Sequence, residues 1–187
     1  MFRSGSSRVW AGKLARRRPP RYNRAIRMPL NIRPAHPSEH PQIEKMVVDS
    51  FEPITWFKKI DETYGPVDGN NWRDRWHYRL AKVFATQSVL VGELPGDTGP
   101  ELAAFASGSL EPETRLAYLD LLAIDPRFQG RGLGREMLRA VMQYFKREGA
   151  VHLRLDCLTS NEVGNNLYRA EGFEEVARSI HWFIKIP

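Results

Sequence analysis

The chain has 187 residues, long enough for one domain with a sizeable core. Its lone cysteine, Cys157, excludes an internal disulfide, and no apolar run approaches the roughly 20 residues that cross a bilayer. The net charge of +6 misleads about the folded part: residues 1–38 hold ten of the 28 Lys and Arg and no acid, which leaves 18 basic against 22 acidic side chains. A nucleic-acid-binding surface on the domain is therefore not expected.

Residues 1–27 include Arg16-Arg17-Arg18-Pro19-Pro20-Arg21, lack an apolar stripe and read as a disordered basic tail. Three explanations fit this tail: a mitochondrial targeting segment, a basic arm for nucleic acid or acidic lipid, or an extension ahead of a true start at Met28. The domain is expected over 28–187, in the cytoplasm, or in the mitochondrion if the tail is a targeting segment. Residues 30–33 read as a short edge strand ended by Pro34. Ser38 is a possible N-cap, with Pro41 in the first turn and Ile43, Met46, Val47 and Phe51 at helical spacing before Pro53. Residues 54–87 are rich in aromatics, and Gly65-Pro66 and Asp68-Gly69 mark a loop among them. Trp72, Trp76, Leu80 and Phe84 recur at four-residue spacing and predict a helix over 72–84, with Arg73, Arg75 and Arg79 off its apolar face and solvated. Residues 88–94 and 101–110 flank a Gly- and Pro-rich turn and predict an antiparallel hairpin.

From Leu116 to Ile124 the chain is almost continuously apolar, with Asp120 the only charge, as in a strand covered on both faces. Asp125-Pro126 stops that strand. Gly130, Gly132 and Gly134 crowd the following turn, and Leu133, Met137, Leu138, Val141, Met142 and Phe145 then keep helical spacing as far as Gly149. A strand leading through glycines into a helix start is an anion site. The first helical N–H groups have no internal partner, the helix dipole adds positive charge, and glycines admit close approach. Arg131 and Arg135 add charge at the mouth, although the same spacing also describes a plain tight turn with solvated arginines. The Walker pattern fails, since no Lys-Ser or Lys-Thr follows, and the dinucleotide fingerprint fails because its third glycine falls on Arg135. Downstream, residues 151–158 predict a fifth core strand holding Cys157 as a buried small residue, and 162–171 a short helix ended by Gly172. Residues 173–177 and 181–186 predict closing strands.

Gln129-Gly-Arg-Gly-Leu-Gly134 resembles the acyl-CoA pyrophosphate loop of the GNAT superfamily of N-acetyltransferases, with Gln129, Gly132 and Gly134 in its fixed positions. Asn161, Tyr168 seven residues later, then Gly172 and Phe173, resemble the superfamily's second segment. The resemblance implies an α/β (α+β) fold: a central mixed, mostly antiparallel sheet flanked by helices. It also implies transfer of acetyl from acetyl-CoA to a primary amine, on a small molecule or a peptide, by direct attack in a ternary complex. Gln129, Gly130, Arg131, Gly132, Leu133, Gly134 and Arg135 would wrap the pyrophosphate. The pantetheine arm would pair with the backbone of Leu122, Ala123 and Ile124 between splayed strands, and Asn161 would hydrogen-bond the arm. Tyr168 would protonate the leaving thiolate, or pack on the arm as a plain aromatic; Asn161 is also an ordinary helix cap. The attacking amine must shed a proton held with pKa about 10.4. Asp120 is the candidate base, or else a charge paired with an arginine, and Glu111, Glu113 and His181 are weaker candidates. No metal and no membrane partner are expected, and a homodimer fits the family. Two other classes compete: a non-catalytic acyl-CoA-binding domain, and a nucleic-acid-associated protein acting through its basic tail.

Overall fold

Five apolar runs become one sheet in the order β1-β2-β3-β4-β5: β1 Asn31–Pro34, β2 Ser88–Gly96, β3 Gly99–Glu111, β4 Leu116–Ile124 and β5 His152–Leu155. In this computed structural model residues 29–186 are described, so the expectations for the tail 1–27 fall outside the described residues. β1 to β4 pair antiparallel, whereas β5 joins β4 in parallel. A parallel neighbour needs a crossover, and helix α4, Leu133–Arg147, supplies it. The other helices are α1 His40–Phe51, α2 Trp56–Tyr64, α3 Trp72–Thr86 and α5 Glu162–Ala170.

The sheet is covered on both faces. On one side Met137, Leu138, Val141 and Phe145 of α4 bury Ala104, Ala106, Ala117 and Leu119. On the other, Ile43, Met46 and Val47 of α1 and Trp72, Trp76, Leu80 and Val83 of α3 bury Val91, Phe105, Leu121 and Ala123. β4 thus contributes Ala117 and Leu119 to one core but Leu121 and Ala123 to the other, which strict alternation forbids. The switch is a β-bulge. Ser107 faces Leu121 and Gly108 faces Leu119, so Asp120 is an extra residue in β4 and the strand's facing reverses there. Gly108 makes the bulge possible. A Cβ at Gly108 would collide with the carbonyl oxygen of Tyr118 and press on the Phe145 ring at 3.0 Å.

Several expectations are corrected. His36, not Ser38, caps the entry to α1: its Nδ1 accepts from the Ser38 N–H at 3.3 Å and Glu39 returns a bond to the His36 N–H at 2.6 Å. A short 3-10 turn, Pro37–Glu39, therefore precedes α1, which has no side-chain cap of its own. Helix α2 was not expected; Thr55 opens it by accepting from the Phe57 N–H at 3.4 Å. Arg75 and Arg79 are held in pairs rather than simply solvated. Arg75 binds Asp61 and the Phe57 carbonyl, each at 2.6 Å, and Arg79 binds Asp120. β5 ends at Leu155 rather than at 158. Residues 173–177 and 181–186 form no strand. Instead His181 stacks on Trp56 and Phe183 packs on Tyr64, which draws the segment to α2 and leaves the outer edge of β5 without a strand among the described residues.

Gly108→Ala is expected to lower stability by about 1–3 kcal/mol through overpacking at the bulge. A urea midpoint equal to that of the wild type would show that the close approach at Gly108 is not required.

Candidate active site

β4 and β5 pair over Leu116↔His152, Ala117↔Leu153, Tyr118↔Arg154 and Leu119↔Leu155, and there the pairing stops. β4 continues to Ile124, so the β5-side edge of residues 120–124 borders a gap rather than a strand. An edge like this can accept an extended ligand by strand addition. The bulge at Asp120 stands where the gap begins.

The far end of the gap is built by the turn into α4. Asp125 accepts from the Arg127 N–H at 2.9 Å and opens a 3-10 turn, Pro126–Phe128. Gln129 then donates from Nε2 to the Ile124 carbonyl at 3.0 Å, tying the turn back to the end of β4. Gly130 and Gly132 take φ of +75° and +81°, in the left-handed region that favours glycine. The N-cap residue of α4 is Gly132, which brings no side chain to cap the first turn. Where α4 begins, a Cβ on Gly134 would sit 3.5 Å from Leu167 and 3.8 Å from Ile124, so α4, α5 and β4 converge at this corner. Arg131 donates to the Arg127 carbonyl at 3.2 Å with its guanidinium 5.2 Å from the Phe128 ring. Arg135 instead pairs with Glu171 at 2.8 Å. Glu171 also binds Arg139 at 2.6 Å, and Arg139 first, then Arg135, holds its carboxyl below the usual range. Arg131 and the helix dipole therefore carry the positive field at the mouth.

On α5, Asn161 acts as the cap: its Oδ1 accepts from the Gly164 N–H at 3.0 Å. Asn165 donates to the carbonyls of Leu158 at 2.9 Å and Asn161 at 2.8 Å and so locks the turn ahead of the helix. Tyr168 sets its ring edge-on to Phe173 at 5.9 Å and packs on the core beneath α4. Burial pushes its phenol up to about 12, with a smaller contribution from Cys157, so the hydroxyl stays protonated at neutral pH. Burial also raises the Cys157 thiol, which keeps it out of the thiolate form a nucleophile needs.

On the opposite face, Asp120 is only 9% exposed and accepts from Arg79 at 2.6 Å and from Gln87 at 2.9 Å. Beside it, the Tyr118 hydroxyl donates to Asp156 at 3.1 Å, and the Arg154 guanidinium lies 4.0 Å from the Tyr118 ring centre. Burial, then the negative charges of Asp120 and Asp156, push the Tyr118 phenol up to about 12. Sequence reasoning missed Tyr118 and Asp156. Tyr118 lay in view, two residues before Asp120, but Asp156 joins it only through the β4–β5 register. Glu111 and Glu113 lie at the other end of β4, beside Leu116 and away from the gap. His181 lies on Trp56 with ring centres 5.2 Å apart.

A mixed sheet whose parallel pair opens toward a glycine-built helix start, with a protonated tyrosine at the same corner, defines an acyltransferase class of fold. The model of the acetyltransferase (GNAT) family matches residues 55–173, and the chain belongs to that family. Thialysine N-epsilon-acetyltransferase of Mus musculus is 24% identical over 153 residues, covering 81% of this chain and 88% of the relative. Among solved structures, aminoglycoside N-acetyltransferase AAC(6')-Iy in complex with CoA superposes with a TM-score of 0.57 at 14% identity, covering 85% of this chain and 97% of that one. The ribosomal-protein-S18-alanine N-acetyltransferase of Escherichia coli superposes with a TM-score of 0.56 at 20% identity, covering 79% of each chain. These superpositions extend the shared architecture beyond the region of the family match.

Arg79→Leu is expected to cost about 2 kcal/mol or more, less than the roughly 3–5 of a fully buried broken pair because Arg79 is partly exposed. Adding Asp120→Asn should recover part of that loss, since no uncompensated carboxylate remains. Additive losses in a denaturation double-mutant cycle would show that the two side chains are not coupled.

Proposed function

We propose that this chain transfers the acetyl group of acetyl-CoA to a primary amine within one ternary complex. The observation that carries this reading is the β5-side edge of β4 beyond Leu119, which has no strand partner among the described residues and leads directly to the glycine-built start of α4. An extended pantetheine arm would add to that edge along Leu122, Ala123 and Ile124, and the pyrophosphate would meet the first-turn N–H groups of Leu133, Gly134 and Arg135 and the guanidinium of Arg131. The named relatives, which include thialysine and S18-alanine acetyltransferases, support an amine as acceptor.

In the reaction the amine nitrogen forms a bond to the acetyl carbon, the carbon–sulfur bond breaks with its electron pair on sulfur, and the proton the nitrogen loses to solvent is balanced by the one the sulfur finally takes from solvent. Tyr168, in the position of the family's general acid, is the donor we assign to the sulfur. Its phenol stands at about 12, and an ordinary thiol has pKa about 8.5, so complete transfer from Tyr168 to a thiolate is uphill by roughly 5 kcal/mol. The hydroxyl therefore works as a hydrogen-bond donor that steadies charge on the departing sulfur. Both oxygens of Asp120 are engaged by Arg79 and Gln87, which favours the paired-charge reading of that residue over a general base. Asp156, which is 73% exposed at the end of β5, offers the acceptor's ammonium a carboxylate on the same face.

The test is acetyl-CoA consumption by the purified full chain over a panel of amines. Tyr168→Phe is expected to lower the rate at least tenfold, about 1.4 kcal/mol of barrier, with CoA affinity retained. The rate should rise with pH as the amine loses its proton, and the raised phenol predicts no alkaline fall from Tyr168 below about pH 10. CoA binding without turnover on any amine would place the chain in the non-catalytic class, and absence of CoA binding would end this reading.

A further inference from the structure

Asp120 is the extra residue of β4, and both oxygens of its carboxylate are held: Arg79 donates to one at 2.6 Å and Gln87 to the other at 2.9 Å. The two donors come from one helix. Arg79 lies on α3 with its guanidinium 5.4 Å from the centre of the Trp76 ring, and Gln87 is the residue that ends α3 ahead of β2. The helix is itself fixed, since Trp76 is buried and donates from Nε1 to Thr55 at 3.1 Å. Gln87 reaches Asp120 across β3, because β3 lies between β2 and β4 in the sheet.

Stability alone does not account for this arrangement. Arg79 Nε, Gln87 Oε1 and the Oγ of Ser107, the β3 residue opposite Leu121, are buried with no hydrogen-bond partner among the described residues. Each such atom lowers stability, and a buried ion pair is weak evidence for a gain in it. What the two donors do fix is a position. A bulge kinks its strand at the residue where it sits, so its place sets the direction in which residues 121–124 leave β5. Leu119 and Leu121 on either side are both apolar, and only a carboxylate at position 120 meets Arg79 and Gln87 together. On the basis of the acetyl-transfer reading above, we propose that Arg79 and Gln87 are positioning residues for that reaction: through Asp120 they keep the bulge in place and so aim the 121–124 edge that presents the acyl group. The turn at 129–135 is tied to β4 separately, by Gln129 on the Ile124 carbonyl. Cutting the anchor at Asp120 therefore leaves the pyrophosphate site standing and misaligns the acyl group, a loss that falls on kcat and spares KM.

The experiment is steady-state kinetics of the full chain, with amide hydrogen exchange measured in the absence of CoA. Gln87→Met is expected to lower kcat about tenfold or more, while KM for acetyl-CoA stays within about threefold of the wild type. Arg79→Lys, which keeps a cation on Asp120, should retain most of kcat, and Arg79→Leu should not. The double variant Arg79→Leu, Asp120→Asn separates position from stability: its denaturation midpoint recovers part of the loss, but its kcat stays low. Without CoA, amides 119–122 of Gln87→Met should exchange faster than in the wild type, with those of α4 unchanged. If Gln87→Met does not fold, the Arg79 variants carry the same comparison. Folded variants that keep the wild-type kcat, a kcat that recovers along with stability in the double variant, or unchanged exchange at 119–122 would each overturn the proposal. A wild type inert toward every amine would end the acetyl-transfer reading and this proposal with it, whereas an active wild type whose variants keep their kcat ends this proposal alone.

Discussion

Two parallel strands that pair over four residues and then separate are the constraint on which the site depends. Backbone polar groups in a sheet interior must find partners, so a central strand without a β5 partner over residues 120–124 relies on its own turn, as the Ile124 carbonyl does on Gln129, and on water or a ligand. The chain prepares this opening with a single extra residue. Asp120 bulges, β4 reverses its facing, and the strand passes from the α4 core to the core of α1 and α3 at the level where β5 leaves. Gly108 removes the side chain that would otherwise hold β3 and β4 apart at the bulge.

Charge is arranged differently on the two sides of the opening. Toward α4, Glu171 offsets Arg135 and Arg139, so the positive field at the helix start comes from Arg131 and from the backbone itself. Toward α3, Asp120 is locked to Arg79 and Gln87, while Tyr118 and Asp156 meet across the last paired residues. Two tyrosines flank the opening, Tyr118 on one face and Tyr168 on the other, and burial raises both to about 12. Neither ionises near neutrality; Tyr118 donates to Asp156, and Tyr168 is the donor proposed for the departing sulfur.

How much of this was legible in the sequence follows from what each feature depends on. β4 was readable to its ends, because a long apolar run closed by Asp125-Pro126 is a local signal. The turn and α4 were readable for the same reason: Gly130 and Gly132 announce a left-handed backbone that other residues avoid. The bulge at Asp120 left no mark, since an extra residue exists only relative to the strand opposite. The Arg79–Asp120 pair joins positions 41 residues apart, and helical spacing alone sent Arg79 to solvent. Helix α2 was missed because nine residues holding one buried side chain, Ile60, give too short a pattern. The run at 180–186 has the alternation of a strand, but pairing is a tertiary matter, and its rings found α2 first.

The measurement that bears most directly on the open β4 edge is amide hydrogen exchange of the full chain with and without CoA. The account predicts slower exchange with CoA at residues 121–124 and 130–135, where an added strand and a bound pyrophosphate would cover the backbone. Unchanged exchange at both stretches under saturating CoA, or protection confined to another part of the chain, would contradict it.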